Sequence, residues 1–324
     1  MKRVMGRSGI EASAIGMGCW AIGGVFYRGD TPVGWGEVDD QESEAAINAA
    51  IDHGITLFDT ANIYGLGHSE RVLGNALVGK REKVIIATKF WSMFDEETKE
   101  ITEASARPED IRTACDQSLR RLKTDYIDLY QFHSGGYPAD EVGEVIDTLE
   151  SLVDEGKIRY YGWSTDDPAR ARAFAEGEHC TAVQFQLNVL YDNAPMIALC
   201  DELDLAGLNR GPLAMGLLTG KYTRDSKLAD NDVRGPNAPE WMHFFEDGRP
   251  SEEFLGRLES IREILSSKGR TLAQGALAWL LARSGKTFPI PGIRTVKQAA
   301  ENAGALEKGP LTEQQMSEIA ELLE

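Results

Sequence analysis

The sequence predicts an α/β chain folded as a (β/α)₈ TIM barrel. Short apolar or β-branched runs alternate with amphipathic helical patterns, and such alternation builds parallel sheet from βαβ units. Eight of these runs occur in 324 residues, a length that suits a barrel of this kind. No sharp shift in composition divides the chain, so residues 1–324 read as a single barrel domain.

The elements follow in order. Residues 1–14 place Ser8-Gly9 between two short apolar pieces and read as an N-terminal β-hairpin capping the barrel floor. Strand runs are expected at 14–20, 56–60, 84–90, 127–133, 158–164, 182–187, a weaker 205–209, and 288–292. Helical patterns fall at 41–52, 69–78, 108–122, 140–154, 167–175, 194–203, 272–282 and 295–306. Arg107-Pro108-Glu109-Asp110 puts proline and acids in a first turn. Gly156 gives the helix at 140–154 its stop. Thr312-Glu313-Gln314-Gln315 is a capping-box start for a terminal helix. Residues 221–250 break the repeat after strand seven. Loops this long are commonly functional, and Trp241, His243, Phe244 and Phe245 mark this one as a lid over a pocket.

Composition narrows the function. Apolar residues make up 42% and charged residues 27% of the chain, the mix of a soluble globular protein. No apolar run reaches the ~18 residues of a membrane span. The N-terminus lacks the apolar stretch of a signal peptide, which makes the cytoplasm the expected location. A formal charge of −18 repels phosphate backbones and argues against nucleic acid as a partner. An anionic cofactor would therefore need a locally basic pocket. Cys19, Cys115, Cys180 and Cys200 form no C-x-x-C pair and read as free thiols. His53, His68, His179 and His243 show no ligand spacing, so no metal site is expected. Nothing in the sequence marks an oligomeric state.

One motif points elsewhere. Gly16-Met17-Gly18-Cys19-Trp20-Ala21 matches a dinucleotide fingerprint, which requires a helix to open at its third position. Here a Gly- and aromatic-rich stretch, Ile22 to Tyr27, follows, and the next helical pattern begins only near Gln41. These glycines suit a close approach of backbone to a ligand at a barrel mouth instead.

In such barrels the site forms where strands end. Strand two ends Phe58-Asp59-Thr60, with Tyr64 in the loop beyond it. Strand three ends Thr88-Lys89-Phe90, and strand four Gln131-Phe132-His133. Singly, Asp59 reads as a cap, Lys89 as a solvated charge and His133 as a structural residue. Together they suit carbonyl reduction, in which negative charge develops on oxygen and needs an acid and fixed donors. Tyr64 is the expected acid. Lys89 lowers its pKa, Asp59 holds Lys89, and His133 orients the carbonyl. These side chains are expected at the mouth rather than in the packed interior layers.

The set Phe58-Asp59-Thr60-Ala61-x-x-Tyr64-Gly65, Ser69-Glu70-x-x-Leu73-Gly74, Thr88-Lys89 and Gln131-Phe132-His133 resembles the aldo-keto reductase superfamily. Gly162-Trp163-Ser164, Val183-Gln184, the run from Pro212 to Tyr222, and Pro291-Gly292 with Gln298 and Glu301-Asn302 extend the likeness nearly end to end. It is greatest to the bacterial and plant branches and to the potassium-channel β-subunit branch. The resemblance implies NADP(H) lying extended across the mouth and a small-molecule aldehyde or ketone as substrate. It implies that Ser164 and Gln184 hold the nicotinamide carboxamide. Gly211-Pro212-Leu213 and Lys221 would follow the pyrophosphate, and Arg294, Gln298, Glu301 and Asn302 would grip the adenosine end. Trp20, Asp59, Gly216 and Gly292 complete the implied contacts. Arg294, a planar cation beside a helix start, favours NADPH over NADH.

Three departures stand out. Thr165 occupies a place where the family often has Asn. Arg210 stands where many members stack an aromatic ring on the nicotinamide. Gly292-Ile293 replaces the Lys-Ser of the mammalian branch, which moves the phosphate grip to Arg294. Two other functions fit a barrel: an NADPH-binding regulatory subunit without activity, and a phosphate-sugar isomerase or metal-dependent hydrolase. His133 beside an intact Asp59, Tyr64 and Lys89 favours a reductase.

Overall fold

In the computed structural model, eight strands form one parallel sheet in sequence order: β1 (Met17–Gly18), β2 (Leu57–Asp59), β3 (Ile85–Phe90), β4 (Ile127–Phe132), β5 (Ile158–Ser164), β6 (Cys180–Gln186), β7 (Ala206–Arg210) and β8 (Thr287–Pro289). The structure describes residues 1–98 and 100–324. The sheet closes on itself where Gly18 bridges to Gly292 and donates to the Pro291 carbonyl at 2.9 Å. A Cβ on Gly18 would lie 2.6 Å from the Ile290 carbonyl oxygen, so glycine is required for that closure. The expected fold is therefore found, with β1 and β8 shorter than their apolar runs.

Helices α1 (Asp40–Asp52), α2 (His68–Ala76), α3 (Pro108–Leu122), α4 (Gly143–Asp154), α5 (Pro168–Phe174) and α6 (Ala194–Leu203) connect successive strands. The sequence did not disclose α7 (Glu252–Leu265), which is followed by α8 (Leu272–Arg283), α9 (Val296–Lys308) and α10 (Glu313–Leu323). Thr312 caps α10 in a full capping box, as its sequence predicts.

Strand periodicity positions the site. Leu57, Ala87, Leu129, Ala182 and Leu208 belong to the apolar plug that fills the barrel with Met5, Ala12 and Phe288. Two residues further along the same strands stand Asp59, Lys89, Gln131, Gln184 and Arg210. With a period of two, these share the interior face and form a polar layer above the plug. The intervening Phe58, Tyr130 and Val183 join the cluster packed under the helices.

The N-terminal hairpin pairs Lys2–Val4 with Glu11–Ser13 and closes the floor. Arg3 donates to the carbonyls of Leu281, Ser284 and Thr287, and Arg7 to those of Ala175, Gly177 and Cys180. The long loop after β7 is a strap across the mouth. Val233 donates to the Gly34 carbonyl at 2.9 Å, and Trp35 bridges to Asp232. Phe244 and Phe245 are buried, whereas Trp241 is 48% exposed and lies 6.2 Å from Trp20, ring centre to ring centre. A second unforeseen element, the hairpin of Ser92–Phe94 and Ile101–Ala104, follows β3.

Candidate active site

Asp59 and Lys89 meet across neighbouring strands. Lys89 Nζ donates to Asp59 Oδ1 at 2.6 Å, to the Thr60 carbonyl at 2.8 Å and to the Tyr64 hydroxyl at 3.1 Å. All three ammonium protons thus have acceptors. The other carboxylate oxygen, Oδ2, accepts from Nε2 of Gln131 at 2.9 Å and of Gln184 at 2.8 Å. Lys89 is 0% and Asp59 2% exposed. The pair thus stands at the mouth end of its strands, as expected, but covered, with the Tyr64 hydroxyl against the Lys89 ammonium. A buried ion pair persists where further hydrogen bonds satisfy its remaining groups, and here they do.

Tyr64 is held on both sides. Its amide donates to the Ala61 carbonyl and its carbonyl accepts from Ser69 at 3.1 Å. Trp20 stacks on its ring at 5.9 Å, and Trp20 Nε1 donates to the Val33 carbonyl at 3.0 Å. His133, just past β4, meets the Tyr64 ring edge-on at 6.2 Å. The three residues Tyr64, Lys89 and His133 converge on one small region of the mouth.

Electrostatics separate their protonation states. Burial pushes the Tyr64 phenol above its ordinary value, and the Lys89 ammonium pulls against that shift without cancelling it. The expected downward pull exists, but desolvation outweighs it. Burial opposes the charge on Lys89, yet Asp59 and Tyr64 together raise its pKa. Burial drives His133 well below the ordinary imidazole value, with Lys89, Arg210 and Arg28 adding to the effect. At neutral pH the site holds a protonated phenol, a charged lysine and a neutral imidazole.

The residues expected around a cofactor border the same mouth. Ser164 closes β5, and the amide of Thr165 just beyond it donates to the Gln184 carbonyl at 2.9 Å. Gln184 itself turns its Nε2 toward Asp59. Arg210 closes β7 and pairs with Asp166, while its other nitrogen donates to Gln186 at 3.1 Å. Gly211 and Gly216 have φ of +62° and +95°, and Pro212 and Leu213 lie in the turn between them. The side of Gly216 that a Cβ would fill is lined by Arg234, Tyr222 and Lys221, with Arg234 Nη1 at 3.3 Å. Such a cradle, with two cations beside it, suits a diphosphate. Arg294 donates to the carbonyls of Trp35 and Glu37, and its amide donates to Gln298 Oε1 at 2.8 Å. Thr295 caps the start of α9, which carries Gln298, Glu301 and the buried Asn302. Gly292 sits at the barrel seam beside Gly18.

Arg234 is the residue that sequence reasoning missed. It is 7% exposed, bonded to Asp232 through Nε and Nη2, to the Met215 carbonyl at 3.0 Å and to the Tyr222 hydroxyl at 2.6 Å. Its guanidinium lies 4.5 Å from the Trp35 ring centre. The only local signal was Asp232-x-Arg234 in a polar loop. Among the described residues no cluster of three His, Cys, Asp or Glu could hold a metal, and no helix is long and apolar enough to cross a membrane.

Residues 14–324 match the model of the Aldo/keto reductase family. Aldo-keto reductase YhdN of Bacillus subtilis (strain 168) is 32% identical over 292 residues, covering 89% of this chain and 83% of that protein. Glycerol dehydrogenase AKR11B4 from Gluconobacter oxydans superposes with a TM-score of 0.81 at 28% identity, over 99% of this chain and 94% of that one. An aldo/keto reductase from Klebsiella pneumoniae, solved in complex with NADP and acetate, gives 0.71 at 28% identity, over 99% and 95%. A family match over nearly the whole chain and a relative 32% identical over 89% of it show that this chain belongs to the Aldo/keto reductase family of oxidoreductases.

Proposed function

We propose that this protein, working as a single barrel domain, reduces a small aldehyde or ketone to the alcohol with NADPH, and that Tyr64 is the proton donor. The observation that carries the proposal is the buried relay from Asp59 through Lys89 to the Tyr64 hydroxyl, with bonds of 2.6 and 3.1 Å. A bound reduced nicotinamide supplies the hydride. The chain supplies the proton and the charge. Tyr64 hands its phenolic proton to the carbonyl oxygen as negative charge builds there. Lys89 then stabilises the phenolate, and Asp59, fixed by two amides, keeps Lys89 charged and aimed. Neutral His133 donates one ring N–H to the same oxygen. Trp20 and Trp241 wall the approach and favour substrates with an apolar face.

Ser164, Thr165, Gln184 and Arg210 would seat the nicotinamide. Gly211 to Gly216, Lys221 and Arg234 would cradle the diphosphate. Arg294 at the start of α9 would read the 2′-phosphate with Gln298, Glu301 and Asn302, which favours NADPH over NADH. The test is a panel of aliphatic, aromatic and sugar aldehydes and cyclic ketones with each nucleotide. Turnover with NADPH, and slower turnover with NADH at equal concentration, is the expected result. Tight NADPH binding with no turnover of any carbonyl would replace this reading with a regulatory subunit.

A further inference from the structure

We infer that Gln131 is a positioning residue that acts on the proton-donating relay through the second carboxylate oxygen of Asp59. The inference rests on the carbonyl-reduction reading above. Gln131 lies on the interior face of β4, two residues above Leu129 of the apolar plug and in register with Lys89 on β3. It is fully buried. Its Nε2 donates to Asp59 Oδ2 at 2.9 Å, and its Oε1 accepts from Gln184 Nε2 at 3.1 Å. Gln184 Nε2 in turn donates to Asp59 Oδ2 at 2.8 Å. Three side chains from β2, β4 and β6 thus form a closed ring of hydrogen bonds beneath the mouth.

Packing alone does not call for glutamine there. An apolar residue would continue the plug upward, as Leu129 does one layer below. What an apolar residue cannot do is give Asp59 Oδ2 its second donor beside Gln184. Lys89 occupies Oδ1, and a desolvated carboxylate with too few donors is costly. Gln131 also fixes which way the Gln184 amide faces, because its Oε1 accepts only a donor. The ring therefore sets the carboxylate plane, the plane sets the direction of Lys89, and Lys89 sets the Tyr64 hydroxyl. The groups facing this ring are the Lys89 ammonium, the Tyr64 phenol and the Cys19 thiol, with the His133 imidazole beyond Lys89 and the Arg210 guanidinium in the same layer on β7.

Two variants of near-equal size test it. Gln131→Met keeps the volume and removes the donor. Gln131→Glu donates an O–H to Asp59 while protonated and sets two carboxylates in contact once ionised. Relative to wild type, Gln131→Met should lower kcat about tenfold or more, by the loss of one donor to a buried charge. Its KM for the carbonyl should change little, and its deficit should be the same from pH 5 to 8. Gln131→Glu should approach wild-type kcat at pH 5 and fall away as pH rises. Contact between carboxylates raises the folded-state pKa above the ~4.3 of a free glutamate, so the stability of this variant is also lost as pH rises. Wild-type kcat in Gln131→Met, or the same pH-independent ratio in both variants, overturns the inference.

Failure of the underlying reading looks different. Wild type itself would then turn over no carbonyl. Thermal melts of the substrate-free proteins would carry the test in that case. The deficit of Gln131→Glu should grow between pH 5 and 8 while that of Gln131→Met stays constant. Equal, pH-independent deficits would mean that Gln131 only fills space.

Discussion

Lys89 donates to the Tyr64 hydroxyl across 3.1 Å, and the same ammonium lies 4.8 Å from the centre of the Tyr64 ring. The charge faces the phenol where a phenolate would form. Burial keeps the phenol protonated in the resting site, and the ammonium lowers the cost of releasing that proton. An acid that is protonated at rest and stabilised after transfer is what a carbonyl reductase requires.

Tyr64→Phe should lower kcat by roughly 10²–10⁴-fold, the usual loss for a positioned acid. The Trp20 stacking partner is retained, so nucleotide affinity should stay close to wild type. Steady-state kinetics with a fluorescence titration of NADPH checks both. A variant that keeps wild-type kcat would remove Tyr64 from the mechanism.

Lys89→Met should slow reduction and move the alkaline limb of the kcat profile to higher pH. The sign follows from the charge: Lys89 pulls the phenol pKa down, and without it burial and Asp59 raise that pKa against Arg210 alone. The activity lost when the phenol deprotonates is then lost at higher pH. The variant should also be less stable by about 3–5 kcal/mol, because Asp59 is left as a buried charge without its cation. Profiles at saturating NADPH and a urea melt measure the two effects. An unchanged limb would make Lys89 a structural partner of Asp59 alone.

His133→Asn should lose activity and gain relative stability in acid. The folded protein holds His133 neutral, whereas the unfolded chain takes up a proton near pH ~6.5. A folded-state pKa this low gives stability that is present above about pH 6.5 and lost as pH falls. Asn carries no such penalty. The stability difference between variant and wild type should therefore shift toward the variant from pH 7 to 5. A constant difference would mean that His133 is not held neutral.

The barrel was legible because each strand advertises itself twice, as a short apolar run and by the helix that follows it. The relay was legible because Asp59, Lys89 and His133 each close such a run. Depth was not legible. Nothing local says that Lys89 is covered, because its partners Asp59, Thr60 and Tyr64 stand 25 to 30 residues away in sequence. Helix α7 was missed because its pattern follows a long polar loop. Gln131 read as part of a motif without a role, since its partners Asp59 and Gln184 stand 72 and 53 residues away. Arg234 was missed for the same reason: its surroundings come from Met215, Tyr222 and Trp35.

Arg294→Ala should weaken NADPH far more than NADH, since only NADPH carries the 2′-phosphate. A charge-assisted contact is worth roughly 1.5–3 kcal/mol. Arg294 also tethers the mouth loop through the Trp35 and Glu37 carbonyls, so a small loss for NADH is expected as well. Titration of both nucleotides decides it. Equal weakening would make Arg294 a loop tether only.

Arg234→Met should weaken NADPH and NADH alike, which separates it from Arg294. The guanidinium lines the same side of Gly216 as Lys221, where a diphosphate common to both nucleotides would lie. Its other bonds hold the strap: Asp232, the Met215 carbonyl and the Tyr222 hydroxyl all accept from it. Removing it leaves Asp232 partly buried without its cation, so some loss of stability is expected even without nucleotide. Arg234→Lys separates the two roles. It keeps the charge but lacks the planar fork that serves Asp232 and Met215 together. If charge toward the diphosphate matters, Arg234→Lys should recover part of the affinity for both nucleotides, while its melting temperature stays below that of wild type. If the affinities of Arg234→Met match wild type for both nucleotides, Arg234 supports the strap and nothing more.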